Sequence, residues 1–358
     1  MGQHMTEQML LEKFVKSEPI TKGWSEDKKY CVTTTDGTKY LLRITPISRY
    51  EVRKSLFAML ERVAALDIPM CVPVEFGTCG DGVYSLQSWI DGVPHRMKSP
   101  FDFSFFSKYG KVFKVFDAQD SGNICFGMVD GGNKYFVKFA GAPTERACVS
   151  VDEAIANLKL TVPIYKDLAH PNLIKFINAE EIGGGFAMVF EWVDAECMHP
   201  MYPMSRREFL KMTIETRHQV FEDILTFHAH AAKQGYVAID FYDGSIMYDF
   251  SNNRTFICDI DFYTKAPYVN NMGRLWGSSR FMSPEEFQLG AAIDEITNVY
   301  TMGATAFALF GDERDRRIEK WTLSRESFDV AKRAVNDDRT QRQQSIERFI
   351  EEWRAAIL

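Results

Sequence analysis

A chain of 358 residues, 46% of them hydrophobic, can bury a sizeable core, which excludes a disordered chain and suits one large two-lobed domain or a domain plus a module. Its net charge of −7 provides no global field toward polyanions, so neither nucleic acid nor a membrane surface is expected as a partner. Seven scattered cysteines without CxxC spacing and no signal-peptide pattern point to free thiols in a reducing, cytoplasmic setting.

In chain order, KKYCVTT and TKYLLRIT alternate around Asp36-Gly37, a strong hairpin signal. Residues 48–66 carry helical spacing through Val52, Leu56, Met59, Leu60 and Val63, which predicts a helix. VPVEFGT and GVYSLQSWI then flank a second turn at Cys79-Gly80-Asp81-Gly82. The same order returns. KVFKVFD and ICFGMVD flank Ala118–Asn123, Gly131-Gly132 turns into KYFVKF, a helix starts at Ser150, and two strands flank Gly183-Gly184-Gly185. KYLLRI echoes KYFVKF, and Ser88-Trp89-Ile90-Asp91 echoes Glu191-Trp192-Val193-Asp194. Two small sheet units in tandem are expected, residues 1–98 and 99–196, followed by a helical region over 197–358. The longest apolar helical run, Val299–Phe310, is shorter than the about 20 residues a bilayer requires and reads as a core helix.

Lys138 occupies an inward phase of KYFVKF, where a charge needs a partner. Asp240 and Asp261 each end an apolar run, with the turn-rich DFSNNRT between them. LAHPNLIKF and FAMVFEWVDAE precede that pair, and GSSRFMSPEEF, NVYTMGATAFALFG and NDDRTQRQQS follow it. This order resembles a eukaryotic-like Ser/Thr protein kinase over about residues 105–358. The resemblance implies an α+β, two-lobed protein-kinase-like fold that uses ATP and Mg2+. Lys138 would hold the phosphates, Phe190-Glu191-Trp192-Val193 would form the adenine hinge, and Asp240 would orient the acceptor hydroxyl. Asp261 would hold magnesium, and Glu285 of the Ser-Pro-Glu triplet would pair with Arg342. Residues 20–93, with LLRI and SWIDG, are similar to the small lobe of aminoglycoside phosphotransferases. No HGD-type loop follows it, so this additional kinase-type small lobe, an antiparallel sheet plus one helix, has no catalytic partner. Arg43 stands at its phosphate-lysine position, or is a surface charge. A regulatory, a structural and a vestigial role all stay open for the module.

Several positions depart from the kinase pattern. Ser245 replaces the asparagine five residues after the catalytic aspartate, as a weaker second metal ligand. Ala238-Ile239 replace the histidine and arginine before Asp240, which removes the clamp for a phosphorylated activation loop. Thr161 stands where the helix glutamate partner of Lys138 is expected. Glu153 is either a substitute or the acid of a Ser150 capping box. The loop at 117–123 has one glycine, Gly122, to approach phosphate, beside Asp120, which would repel it. His228 and His230 read as structural, and Ser205–Glu208 and Ser283–Glu286 as capping boxes. The basic clusters at 205–207 and 314–317 read as solvated faces. The leading expectation is phosphoryl transfer to a serine or threonine of a protein substrate. The alternatives are a pseudokinase that binds nucleotide or a partner, and a small-molecule phosphotransferase.

Overall fold

Short alternating segments joined by glycine turns favour pairing with their sequence neighbours, and the computed structural model contains two such antiparallel sheets. It describes residues 5–20, 27–64, 71–89, 97–99, 101–117 and 119–357. Parts of three expected features lie outside these residues: 65–66 of the first helix, 90–92 of the SWIDG segment and position 118 of the loop. The chain divides into two units, Met1–Pro94 and His95–Leu358, so residues 99–196 and 197–358 share one unit.

The first unit runs α1 (Glu7–Leu11), β1 (Lys16–Pro19), β2 (Lys28–Thr33), β3 (Lys39–Pro46), α2 (Tyr50–Ala64), β4 (Pro73–Cys79) and β5 (Gly82–Ser88). Its sheet has the order β1-β2-β3-β5-β4, antiparallel throughout. Gly37 and Gly80 close the two hairpins at φ of 85° and 53°, a region that resists a Cβ. Leu10 joins Val32, Leu42, Ile44, Tyr84 and Leu86 in the core. The helix forms, but most of the apolar positions that mark α2 do not enter that core. Val52, Leu56 and Met59 are exposed, and the helix meets the sheet through Tyr50 and Phe57, whose rings lie 5.6 and 5.4 Å from Phe76. Arg43 is bound within the unit. Its guanidinium lies 3.6 Å from the buried Asp27, which Arg53 of α2 contacts at 2.5 Å.

The second unit repeats the order with β6 (Lys111–Phe116), β7 (Asn123–Asp130), β8 (Asn133–Ala140), α3 (Val151–Asp167), β9 (Phe176–Ile182) and β10 (Gly185–Glu191). The sheet reads β6-β7-β8-β10-β9, the same topology as the first. Alternation separates its faces. Val137 and Phe139 meet the aromatic segment of Phe101, Phe103, Phe105 and Phe106 on one face. Phe136, Ala140, Met188 and Phe190 join the larger core on the other.

That core is shared with α4 (Pro203–Leu210), α5 (Ile214–Lys233), α6 (Glu295–Phe310), α7 (Arg325–Ala334) and α8 (Ile346–Ile357). A small sheet of β11 (Glu196–Cys197), β13 (Ile246–Asp249) and β14 (Arg254–Ile257) and the short β12 (Tyr236–Val237) accompany these helices. Helix α6 is buried on nearly every side, from Thr297 to Phe310, as its unbroken apolar run requires. Arg342, fully buried, donates to both oxygens of Glu285 at 2.6 and 3.0 Å. The Ser205–Glu208 capping box does not form. Pro203 starts α4 two residues earlier, its fixed φ being suited to the first helical position, and Glu208 pairs with Lys211. Among the described residues no helix is long and apolar enough to cross a membrane.

Candidate functional site

Lys138 lies on β8, the central strand, with Cys125 of β7 and Met188 of β10 as its register partners. Its position leaves the ammonium buried, and it is satisfied by carboxylates from a distant segment, Asp261 at 2.5 Å and Asp259 at 3.1 Å. Tyr165 of α3 donates its phenol to the other Asp261 oxygen at 3.0 Å and accepts the Ile260 amide. Burial works against the Lys138 charge, but Asp259 and Asp261 overcome it and hold the ammonium well above the ordinary lysine range.

The entry to the Asp240 loop is anchored by a side chain of a buried helix. Asn298 of α6 accepts the Ala238 N–H and donates to the Ala238 carbonyl, both at 2.7 Å, so the loop follows the most deeply buried helix. Asp240 and Asp259 adopt φ of 64° and 56°, a left-handed geometry uncommon outside glycine. Burial, then the carboxylates of Asp259, Asp120 and Asp261, push the Asp240 carboxyl up to about 7, with Arg274 opposing. Four aspartates and one lysine thus share one electrostatic neighbourhood. Beside it, Asp243 accepts from Arg280 and Arg206, and both arginines also reach Glu313. The expected solvated face at 205–207 is therefore partly internal. Arg316 likewise donates to the Arg280 carbonyl and the Tyr300 hydroxyl.

The other expected site residues are arranged differently from one another. Ser245 is buried with its hydroxyl 3.5 Å from the Asp240 carbonyl oxygen. Thr161 donates to the Leu158 carbonyl and to the Met188 sulfur. Glu153 accepts the Ser150 amide and hydroxyl, each at 2.8 Å, so it caps α3 and does not reach Lys138. At Gly122 (φ 80°) an added Cβ would come within 2.9 Å of Ala154 on α3, so close helix packing accounts for this glycine. The Glu191 and Trp192 amides are occupied by the Lys175 and Lys134 carbonyls. Glu191, Trp192 and Val193 line a cleft of about 680 Å3 that none of Lys138, Gly122, Asp240 and Asp261 lines. His228 is buried between the Ile224 carbonyl and the Tyr263 hydroxyl, and burial pushes it down to about 4.

Sequence reasoning missed three contributors. Asp259 stands two positions before Asp261 in ICDID, and the apolar Ile260 between them is the only signal the sequence offers for it. Tyr165 carried no signal beyond its place on α3. Phe136, two residues before Lys138 on the same strand face, belongs to a run of rings. Phe116 lies 5.9 Å from Phe136, and Phe136 lies 6.1 Å from Phe190.

Among the described residues no three histidine, cysteine or acidic side chains are arranged to hold a metal ion. The Lys138 ammonium instead lies within reach of Asp259 and Asp261. No family model matches the sequence, and no curated protein is significantly similar to it.

Proposed function

We propose that residues 95–358 form a two-lobed, protein-kinase-like phosphotransferase that moves the terminal phosphoryl group of ATP to a serine or threonine hydroxyl of a protein. One observation carries this reading: a buried strand lysine closes on Asp259 and Asp261 within the electrostatic reach of a third carboxylate, Asp240. Phosphoryl transfer asks for such positioning and charge balance. In this reading Lys138 binds the phosphates of the donor. The paired carboxylates of Asp259 and Asp261 suit a hard cation that prefers oxygen ligands, and they would hold magnesium. Bound Mg2+ supplies neutralisation of the phosphate charge. Asp240 takes the proton of the acceptor hydroxyl as its oxygen bonds to phosphorus and ADP leaves. The Asp243–Arg280 pair supports the segment before Ser283 without a phosphate, in keeping with Ala238-Ile239.

Calorimetry with a non-hydrolysable ATP analogue and Mg2+, beside a labelled-ATP transfer assay, tests the roles. Asp240→Ala should bind nucleotide and fail to transfer, whereas Asp259→Ala and Asp261→Ala should lose magnesium-dependent binding. Equal loss of binding in all three would overturn the assignment.

A second reading, a pseudokinase that acts by binding a partner, is favoured by the Phe116–Phe136–Phe190 rings. Phe136 stands where the VAIK-type motif has alanine, so its ring takes up room on the face that would receive a base. Under this reading Phe136→Ala raises nucleotide affinity from an undetectable level. Tight binding by the unaltered chain would exclude it.

A further inference from the structure

The cleft of about 680 Å3 between the α3–β9 connection and the β13–β14 hairpin has the size of a small-molecule site. Its walls combine aromatic and apolar side chains, Phe176, Phe256, Trp192 and Pro171 among them, with charged and polar ones in about equal share. Three acids line it, and each is already engaged. Glu191 pairs with Lys175 at 3.2 Å, and Asp194 with Lys134 at 3.0 Å and the Trp192 indole at 2.8 Å. Asp249 accepts the Ser251 and Asn252 amides and the Asn252 side chain.

Two cations on the same walls are not engaged in this way. Lys166 lies over the Phe176 ring at 6.0 Å and Arg254 over the Phe256 ring at 4.8 Å. Among the described residues neither forms a salt bridge, although Arg254 acts on Asp249 through space. A ring carrying one negative group would stack on the aromatic part of these walls and offer its charge to the cations beside it.

We propose that this cleft is a binding site for a small aromatic monoanion, such as an aryl carboxylate or sulfonate, held by Lys166 and Arg254. It stands independently of phosphoryl transfer at Lys138. It nevertheless touches that pair, because Tyr165 lines the cleft and donates to Asp261.

The probe is 8-anilinonaphthalene-1-sulfonate, an aromatic monoanion that fluoresces when removed from water, titrated into the full chain. The double variant Lys166→Ala/Arg254→Ala should weaken binding about tenfold or more, the loss of charge-assisted contacts. Both side chains are exposed, so an unchanged melting temperature should accompany the loss. 1-Naphthoate should displace the probe at about a tenth of the concentration that 1-naphthylmethanol requires. Absence of binding to the unaltered chain overturns the site. Equal binding by the double variant overturns its location, and equal displacement by the alcohol overturns the anionic class.

Discussion

Asp240→Asn separates stability from chemistry at a single atom pair. The Asp240 carboxyl is raised from 3.8 to about 7, first by burial and then by Asp259, Asp120 and Asp261. The folded state therefore keeps the proton to higher pH than the unfolded chain. Folding free energy is lost as pH rises from about 4 to about 7, and the loss levels off above that. A displacement of this size corresponds to a ceiling of about 4 kcal/mol at pH 8, which solvent relaxation at a partly accessible group reduces to roughly 1–3 kcal/mol. Asparagine removes the titration, keeps the shape and tolerates the left-handed φ of 64°. The variant should thus be more stable than the parent chain at pH 8, and the gap should narrow steadily toward pH 4. Urea unfolding followed by tryptophan fluorescence across that range measures it. A gap that does not change with pH, or a variant less stable at pH 8, would refute the electrostatic account. If Asp240 also accepts the acceptor proton, transfer in the parent chain rises with pH through about 7 and is absent in the variant.

Lys138→Met leaves Asp261 buried without its cation and should cost about 3 kcal/mol in urea unfolding, most of it recovered in Lys138→Met/Asp261→Leu. Arg280→Gln removes contacts to both Asp243 and Glu313 and should cost about 2–3 kcal/mol, with faster proteolysis near residues 274–283 as a second readout. Leu56→Gln on α2 should change stability by less than about 0.5 kcal/mol, because the side chain is exposed; a loss of several times that in thermal unfolding would show the stripe is buried after all.

What was legible in the sequence depended on interaction range. The hairpins at Gly37, Gly80 and Gly131-Gly132 are local, and so is the Ser150–Glu153 box; all form. The repeat was legible because KYLLRI and KYFVKF place equivalent residues on equivalent strands of two sheets with one topology. Long-range satisfaction was legible where the resemblance supplied it, as for Glu285 and Arg342, and not elsewhere. The solvated reading of Arg206 failed because its partners, Asp243 and Glu313, lie far along the chain. The capping reading of Ser205 failed because a proline two residues earlier set the helix start. Choosing between Asp259 and Asp261 required the backbone. The left-handed turn at Asp259 swings both carboxylates to Lys138, whereas plain strand alternation only says that they share a face.

The two sheets satisfy their strand cations by different routes, and that difference bears on what each unit requires. In the second unit the Lys138 ammonium is closed by carboxylates 121 and 123 residues downstream. That sheet therefore depends on the helical region to avoid an unpaired buried charge. In the first unit Arg43 turns to Asp27, which Thr45 and Arg53 also contact, so the charge is settled without any segment beyond residue 94. The shallow seating of α2 agrees, since its stripe has no helical region of its own to enter. In the proposed reading, phosphoryl transfer falls to the second unit, and Arg43, held by Asp27, takes no part in it.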